Sequence, residues 1–310
     1  IVAGNRDASD AAAEVLRSSA PDVRVADNVF PAPGRIEIDA TRSAVVDLFI
    51  QHITHAKGLD ELVDALETEC EPTPLVVTRG VEVAAESLGS MVLVDLGGAT
   101  TDVHSAGGIQ RLHGNVEVPE PEISRTVEGD IGMRWGAGGI IEAMGHAWCA
   151  NTDAALGCDI RSEVERRHAE PGFLARIDLD RQVDATLAGA ATMIALERHV
   201  GRVVVRHNPW GNRYRIQGKD LRRTPLLLCT GGIFRHLKDR DAVVRDALSD
   251  VRSKMRPKDP RLTFDDDYAL FAVGLAARDD RAFAQRLSDQ LFGFPAELNP
   301  QNHYQHEEVS

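Results

Sequence analysis

Two short apolar runs in this chain each end in a pair of glycines, and that repeated arrangement limits what it can fold into. The first is "MVLVDLGGATTDVHS", residues 91–105, and the second is "LLLCTGGIFRH", residues 226–236. Each run reads as a buried strand. The first ends in Asp95 and then bends through Gly97 and Gly98, which carry no Cβ and let the backbone approach a ligand. The N–H groups of Gly97, Gly98, Ala99 and Thr100 would form a nest for phosphate oxygens. Asp95, at the strand end, would hold Mg²⁺ through water or orient an attacking water. The same octapeptide also reads as an ordinary hairpin whose acid and threonines satisfy turn backbone. In the second run, Gly231 and Gly232 would let a purine and ribose lie against the chain where a helix begins at Ile233.

Around these runs the pattern is α/β. "IVAGN" and "VRVADNV" read as strands. "DASDAAAEVLRSS" reads as a helix capped by Asp7, and "TRSAVVDLFIQHITHAKG" as a helix that stops at Gly58. Two more helices follow, "LDELVDALETE" and "TPLVVTRGVEVAAESLG". From residue 91 a meander of strands takes in "GGIQRLH" and "NVEVPEPEI". Residues 139–198 read as mainly helical with a break near "AEPGF". A hairpin follows around Pro209, Trp210 and Gly211, then an apolar helix, "DDDYALFAVGLAA", whose acidic start suits the helix dipole. The expected divisions are 1–89, 90–264 and 265–294, with a disordered polar tail at 295–310.

With 310 residues, 43% hydrophobic and 27% charged, the chain has the composition of a soluble globular protein with room for two domains. Its net charge of −13 argues against nonspecific binding to nucleic acid or an anionic membrane. No apolar run approaches the ~20 residues of a membrane span. Cys70, Cys149, Cys158 and Cys229 form no C-x-x-C pair and suit a reducing cytoplasm. His52, His55 and His104 are too scattered for a metal triad and are expected in surface or capping roles. Arg125, Glu128 and Asp130 read either as a solvated loop or as a partner surface. Glu197, Arg198 and His199 end a long helix, either to solvate it or to contact a nucleotide base. Asp265, Asp266 and Asp267 read as a charge cluster at a helix N-terminus.

The order of helix 72–87, turn 95–102, glycine turn 229–232 and helix 267–277 resembles the actin-like ATPase superfamily, with its two connecting helices, second phosphate loop and adenosine loop. Over nearly the whole chain, "DLGGATTDVHS", "PEPEISRTVEGDIGMR", "ALERHVG", "IQGKDL", "TGGIF" and "DDDYALFAVGLAA" resemble the glutamate mutase-associated MutL (GlmL) family, which is unrelated to the mismatch-repair protein. That resemblance implies a two-lobed, ribonuclease H-like α/β fold. It also implies an ATP-dependent accessory, or reactivating chaperone, of an adenosylcobalamin-dependent mutase, with the mutase subunits as partners. ATP and Mg²⁺ would meet Asp95, Gly97, Gly98, Ala99, Thr100, Thr101, Thr230, Gly231 and Gly232, with Glu197 and Arg198 contacting the base. A small-molecule kinase of the same fold and a non-catalytic nucleotide-binding assembly protein are the alternatives. The superfamily's first phosphate loop, Asp-x-Gly-[Ser/Thr]-Thr, does not occur in the sequence. "EGDIGMR" does not replace it, since no hydroxyl follows Gly132 and no apolar strand precedes Asp130. The chain opens on Ile1, so an N-terminal truncation with an incomplete first lobe is expected, and with it weak ATP hydrolysis by this chain alone.

Overall fold

The computed structural model describes residues 1–20, 22–33, 35–57, 71–107, 122–208, 211–249 and 255–293. The predicted helix "LDELVDALETE", the stop at Gly58, Cys70, the strand "GGIQRLH", nearly all of "NVEVPEPEI", the hairpin tip at Pro209 and Trp210, and the tail at 295–310 lie outside them. The chain forms two compact units, Ile1–Leu75 and Val76–Ser310.

In the first unit, α1 (Ser9–Arg17) follows a 3₁₀ turn at Arg6–Ala8, and α2 spans Asp39–Lys57. Asp7 lies inside the 3₁₀ turn, which Asn5 caps by accepting the Asp7 N–H on its carboxamide oxygen at 3.1 Å, and α1 itself begins after Ala8 with no side-chain cap. The two expected strands shrink to one parallel bridge, Val2↔Val25, flanked by Val2 N–H to Arg24 O and Ala26 N–H to Val2 O, both 2.8 Å. Among the described residues no further ladder lies beside these two short segments, and a single bridge gains too little to extend them as strands.

The second unit is a mixed α/β structure with a five-stranded sheet. Its strands are β1 (Met91–Leu96), β2 (Thr101–Ala106), β3 (Ile123–Glu128), β6 (Leu226–Thr230) and β7 (Arg261–Asp265), in the order β3-β2-β1-β6-β7. β1, β2 and β3 run antiparallel, while β6 and β7 run parallel to β1. Beyond the residues that lie outside the description, "ISRTVE" adds a strand that pairs with β2. β4 (Arg202–Asn208) and β5 (Gly211–Gln217) form the separate hairpin expected around residues 209–211.

Alternation along β1 sorts its side chains onto two faces. Val92, Val94 and Leu96 join one core with α4 (Ala137–Leu156), α5 (Ile160–Ala169), α6 (Asp178–His199) and α8 (Arg240–Ser249). Met91 and Leu93 join another with α3 (Thr73–Leu88), α9 (Ala269–Asp279) and α10 (Arg281–Phe292). Helices thus cover both faces of a sheet whose central strands β1 and β6 are apolar up to Asp95 and Thr230, as strands buried on both sides require. Between β6 and α8 lies the one-turn helix α7 (Gly232–His236). The expected break near "AEPGF" falls between α5 and α6. A second break at 157–159 comes from left-handed Gly157, at φ 69°, and from Asp159, whose carboxylate accepts the Arg161 N–H. Among the described residues no helix is long and apolar enough to cross a membrane.

Candidate functional site

The β1–β2 turn is closed by the Gly97 N–H donating to Thr100 O at 3.0 Å, so that group is spent inside the hairpin rather than offered to a ligand. The carbonyls of the turn are taken by the segment after β3. Met133 N–H reaches Gly97 O at 2.9 Å and Arg134 N–H reaches Gly98 O at 2.7 Å. This segment lies so close that a Cβ on Gly132 would sit 2.5 Å from the Ala99 carbonyl carbon, and one on Gly136 2.2 Å from its oxygen. The "EGDIGMRWG" stretch therefore cradles the turn from outside, which explains Gly132 and Gly136. Among the described residues the N–H groups of Gly98, Ala99 and Thr100 donate no backbone hydrogen bond.

Parallel pairing sets Asp95 beside Thr230 and Thr230 beside Asp265, so three strand ends come together at one edge of the sheet. Gly231 follows with φ 117°, in a region that L side chains rarely adopt, and a Cβ there would lie 2.3 Å from Leu96 O. The second glycine turn is thereby laid against the first. A Cβ on Gly232 would meet nothing within 4 Å.

A cleft of about 720 Å³ opens at these strand ends and is lined by Asp95, Gly97, Gly98, Gly231 and Gly232, together with Arg134. Its size is that of a small-molecule site, and its place outside the carboxyl ends of parallel strands is where open α/β sheets bind ligands. The opposite wall comes from residues 171–175 and from Asp178, Arg181, Gln182 and Ala185 of α6. Those four positions form one stripe at helical spacing, a signal legible in "DLDRQVDA" that the sequence reading passed over in favour of the other end of the helix.

Burial, followed by the charges of Asp102 and Asp265, pushes the Asp95 carboxyl up to about 6, with Arg125 acting against them. Asp265 is also raised, chiefly by burial, although it accepts the N–H groups of Ala269 and Leu270 at 2.7 and 2.9 Å as the cap of α9. A divalent cation beside Asp95 would favour its ionised form. Among the described residues no group of three or more His, Cys, Asp or Glu side chains is disposed to hold a metal. Asp95 with a phosphate chain is nonetheless a donor set that suits Mg²⁺, which takes one or two carboxylates and keeps water and phosphate for the rest.

Other expected residues lie elsewhere. Ala99 is exposed at the hairpin tip, Thr100 is half-buried beside it, and neither lines the cleft. Thr101 and Thr230 are buried, with their hydroxyls donated to Ile131 O and Asp265 O, both at 2.9 Å. Their role in this structure is to tie loops together. Glu197 and Arg198 stand at the far end of α6, outside the cleft lining, and Arg198 pairs with Glu128 at 2.8 Å and Asp130 at 2.7 Å. Arg125 donates to Asp102 at 2.7 Å. The segment at 125–130 is thus held by ion pairs rather than simply solvated.

The expectation for His104 is corrected: it is 1% exposed, with Nδ1 3.1 Å from the Thr78 hydroxyl. His199 is buried between the hydroxyls of Thr126, at 2.9 Å, and Ser105, at 2.8 Å. The side chains of His52 and His55 lie outside the described residues.

A protein-family profile described as MutL protein matches residues 1–292. The chain is also 32% identical over 296 residues to Protein MutL of Clostridium tetanomorphum, an alignment that covers 90% of this chain and 63% of that protein. The chain therefore spans a little under two thirds of the length of this relative.

Proposed function

The chain belongs to the MutL protein family, the one associated with glutamate mutase and distinct from the mismatch-repair protein, and from that membership we propose an ATP-dependent accessory of an adenosylcobalamin-dependent mutase. The actin-like two-lobed fold, the cytoplasmic setting, ATP with Mg²⁺ and the mutase subunits as partners all belong to this reading. The observation that carries it is the meeting of the two glycine turns, Gly97-Gly98 and Gly231-Gly232, at one cleft on adjacent parallel strands.

The residues divide the work by their chemistry. Gly98, which lines the cleft with its N–H unspent, would offer that N–H to phosphate oxygens. Gly231 and Gly232 would leave space for ribose and purine, and Gln182 with the α6 stripe would face the base from the other wall. Asp95 would hold Mg²⁺ or orient the attacking water. Mg²⁺ there would neutralise charge on the phosphates as water displaces ADP from the terminal phosphoryl group. Closure around the γ-phosphate would separate two states of the protein, and only a difference in mutase affinity between those states would couple hydrolysis to cofactor exchange.

The test has two arms. ATP·Mg²⁺ titrated into the protein should bind, and the apparent affinity for the mutase subunits should differ between a non-hydrolysable ATP analogue and ADP. Mutase binding that ignores the nucleotide would leave a passive assembly protein. ADP release that requires a small organic acceptor would point to the kinase alternative.

A further inference from the structure

We propose that Arg134 is an anion-binding residue of the cleft, positioned to contact the phosphate chain of the bound nucleotide and to hold the 171–173 wall against it. This rests on the nucleotide reading above and adds a residue and a link to it.

Arg134 lines the cleft and is half-buried, with its Cβ and Cγ against the phosphate turn. A Cβ on Gly98 would lie 3.6 Å from each. Its backbone N–H already holds Gly98 O. The guanidinium donates from Nη1 to its neighbour Met133 O at 2.7 Å, from Nε to Pro171 O at 3.2 Å and from Nη2 to Phe173 O at 2.8 Å. Every one of these acceptors is a neutral carbonyl. A guanidinium has five N–H donors, so two remain for an incoming oxyanion without releasing the wall.

Among the described residues Arg134 has no carboxylate partner within ion-pair distance. The acids of the cleft nearest in role are already engaged: Asp184 takes the Nε of fully buried Arg167 at 2.7 Å, and Asp178 takes Nη1 of Arg181 at 2.7 Å. Burial lowers the basicity of Arg134, with the charge of Asp184 acting against it and that of Arg167 adding to it. A part-buried cation whose hydrogen bonds all go to neutral carbonyls, and whose neighbouring Asp184 is shared with Arg167, costs free energy that an arriving anion would offset. Lys238 lines the same cleft, but it stands exposed to solvent, where its charge is well hydrated.

The wall that Arg134 grips is itself anchored. The Phe173 ring lies under the guanidinium carbons of Arg166 and Arg167, at 4.4 and 4.9 Å from its centroid. A phosphate drawn to Arg134 would therefore be linked through one side chain to both the 97–98 turn and the 171–173 wall.

The experiment measures binding of ATP, ADP, adenosine and inorganic tripolyphosphate, each with Mg²⁺, to the protein and to Arg134→Gln and Arg134→Lys. Loss of a charge-assisted contact predicts ATP and tripolyphosphate binding weakened about tenfold or more in Arg134→Gln, with Arg134→Lys between. Adenosine should change less than about twofold, which also shows that the variant is folded. ATP and tripolyphosphate bound equally by Arg134→Gln and wild type would overturn the inference and leave the nucleotide reading standing. A parallel loss of adenosine and ATP would likewise overturn it, since Arg134 would then be only a brace. Arg134-dependent tripolyphosphate binding without any adenosine binding would keep the anion site and sink the nucleotide reading. Binding of neither by wild type would sink both.

Discussion

Asp95 is held in an environment that favours its neutral form, although its proposed work needs the charge. Its carboxyl is pushed up to about 6 by burial and by Asp102 and Asp265. Between the ordinary carboxylate range and 6 the folded state binds more protons than the unfolded, so this group's contribution falls as pH rises and is most unfavourable above 6. Asp95→Asn should therefore raise the melting temperature at pH 7.5, by the equivalent of about 1–2 kcal/mol, and much less at pH 4. It should also cut any ATP turnover about tenfold or more. A variant that is destabilised at pH 7.5 would contradict the electrostatic account, and unchanged turnover would return Asp95 to a hairpin role. His104 and His199 show the opposite sign. Burial lowers them to about 4 and about 3, so the fold holds both neutral while the unfolded chain protonates them below 6.5. Each should cost about 2 kcal/mol by pH 5. Denaturation at pH 7.5 and 5 should show that loss, and His199→Gln should shrink it, whereas an unchanged slope would show that another group sets it. Such residue-level detail was legible for Asp95, whose place at a strand end follows from the apolar run before it. It was not legible for His104, because the hydroxyl that satisfies it, Thr78, comes from a helix 26 residues away.

The glycines of α3 and α9 test packing against propensity. A Cβ on Gly274 would lie 1.9 Å from Val76 O, and one on Gly80 would lie 2.3 Å from Leu270 O. Helix propensity alone predicts that Gly274→Ala stabilises by about 1 kcal/mol. Displacing backbone against backbone costs more, so the expected net effect is a loss of about 2 kcal/mol, read as a lower denaturation midpoint. Gly138→Ala, at an exposed position of α4 where a Cβ meets nothing within 4 Å, should instead gain about 0.5 kcal/mol. A Gly274→Ala variant as stable as the Gly138→Ala control would mean that the two helices do not cross so closely. The helix itself was legible in the apolar run of "DDDYALFAVGLAA", but not the helix that crosses it, because α3 lies about 190 residues earlier in the sequence. β7 was missed, because "RLTFD" is five residues long, half-exposed along most of its length, and becomes a strand only through its pairing with β6. The opposite error fell on "IVAGN" and "VRVADNV", where local apolar pattern promised strands that a single bridge does not sustain.

At the scale of the whole molecule, the site exists because the sheet order places β6 beside β1. Each glycine turn is legible by itself, but local pattern says nothing of which strands become neighbours. It was the order of motifs along the chain, and not periodicity, that joined them. The cradle at 131–136 and the α6 stripe stayed hidden for the same reason, since their roles depend on contacts with a turn some 35 to 85 residues away in sequence. This assembly has a thermodynamic signature. A ligand that binds only the folded state at about 100 times its dissociation constant adds about 2.7 kcal/mol of stability. ATP·Mg²⁺ should therefore raise the melting temperature, and hydrogen exchange should slow together at 95–101, 131–136, 171–185 and 230–239, since all four border one cleft. Gly231→Ala should abolish both effects, because its φ of 117° and the nearness of Leu96 O forbid a Cβ where the two turns meet. Protection confined to one of the four segments, or retained in full by Gly231→Ala, would mean that the ligand uses a surface patch and that the meeting of the turns serves only the fold.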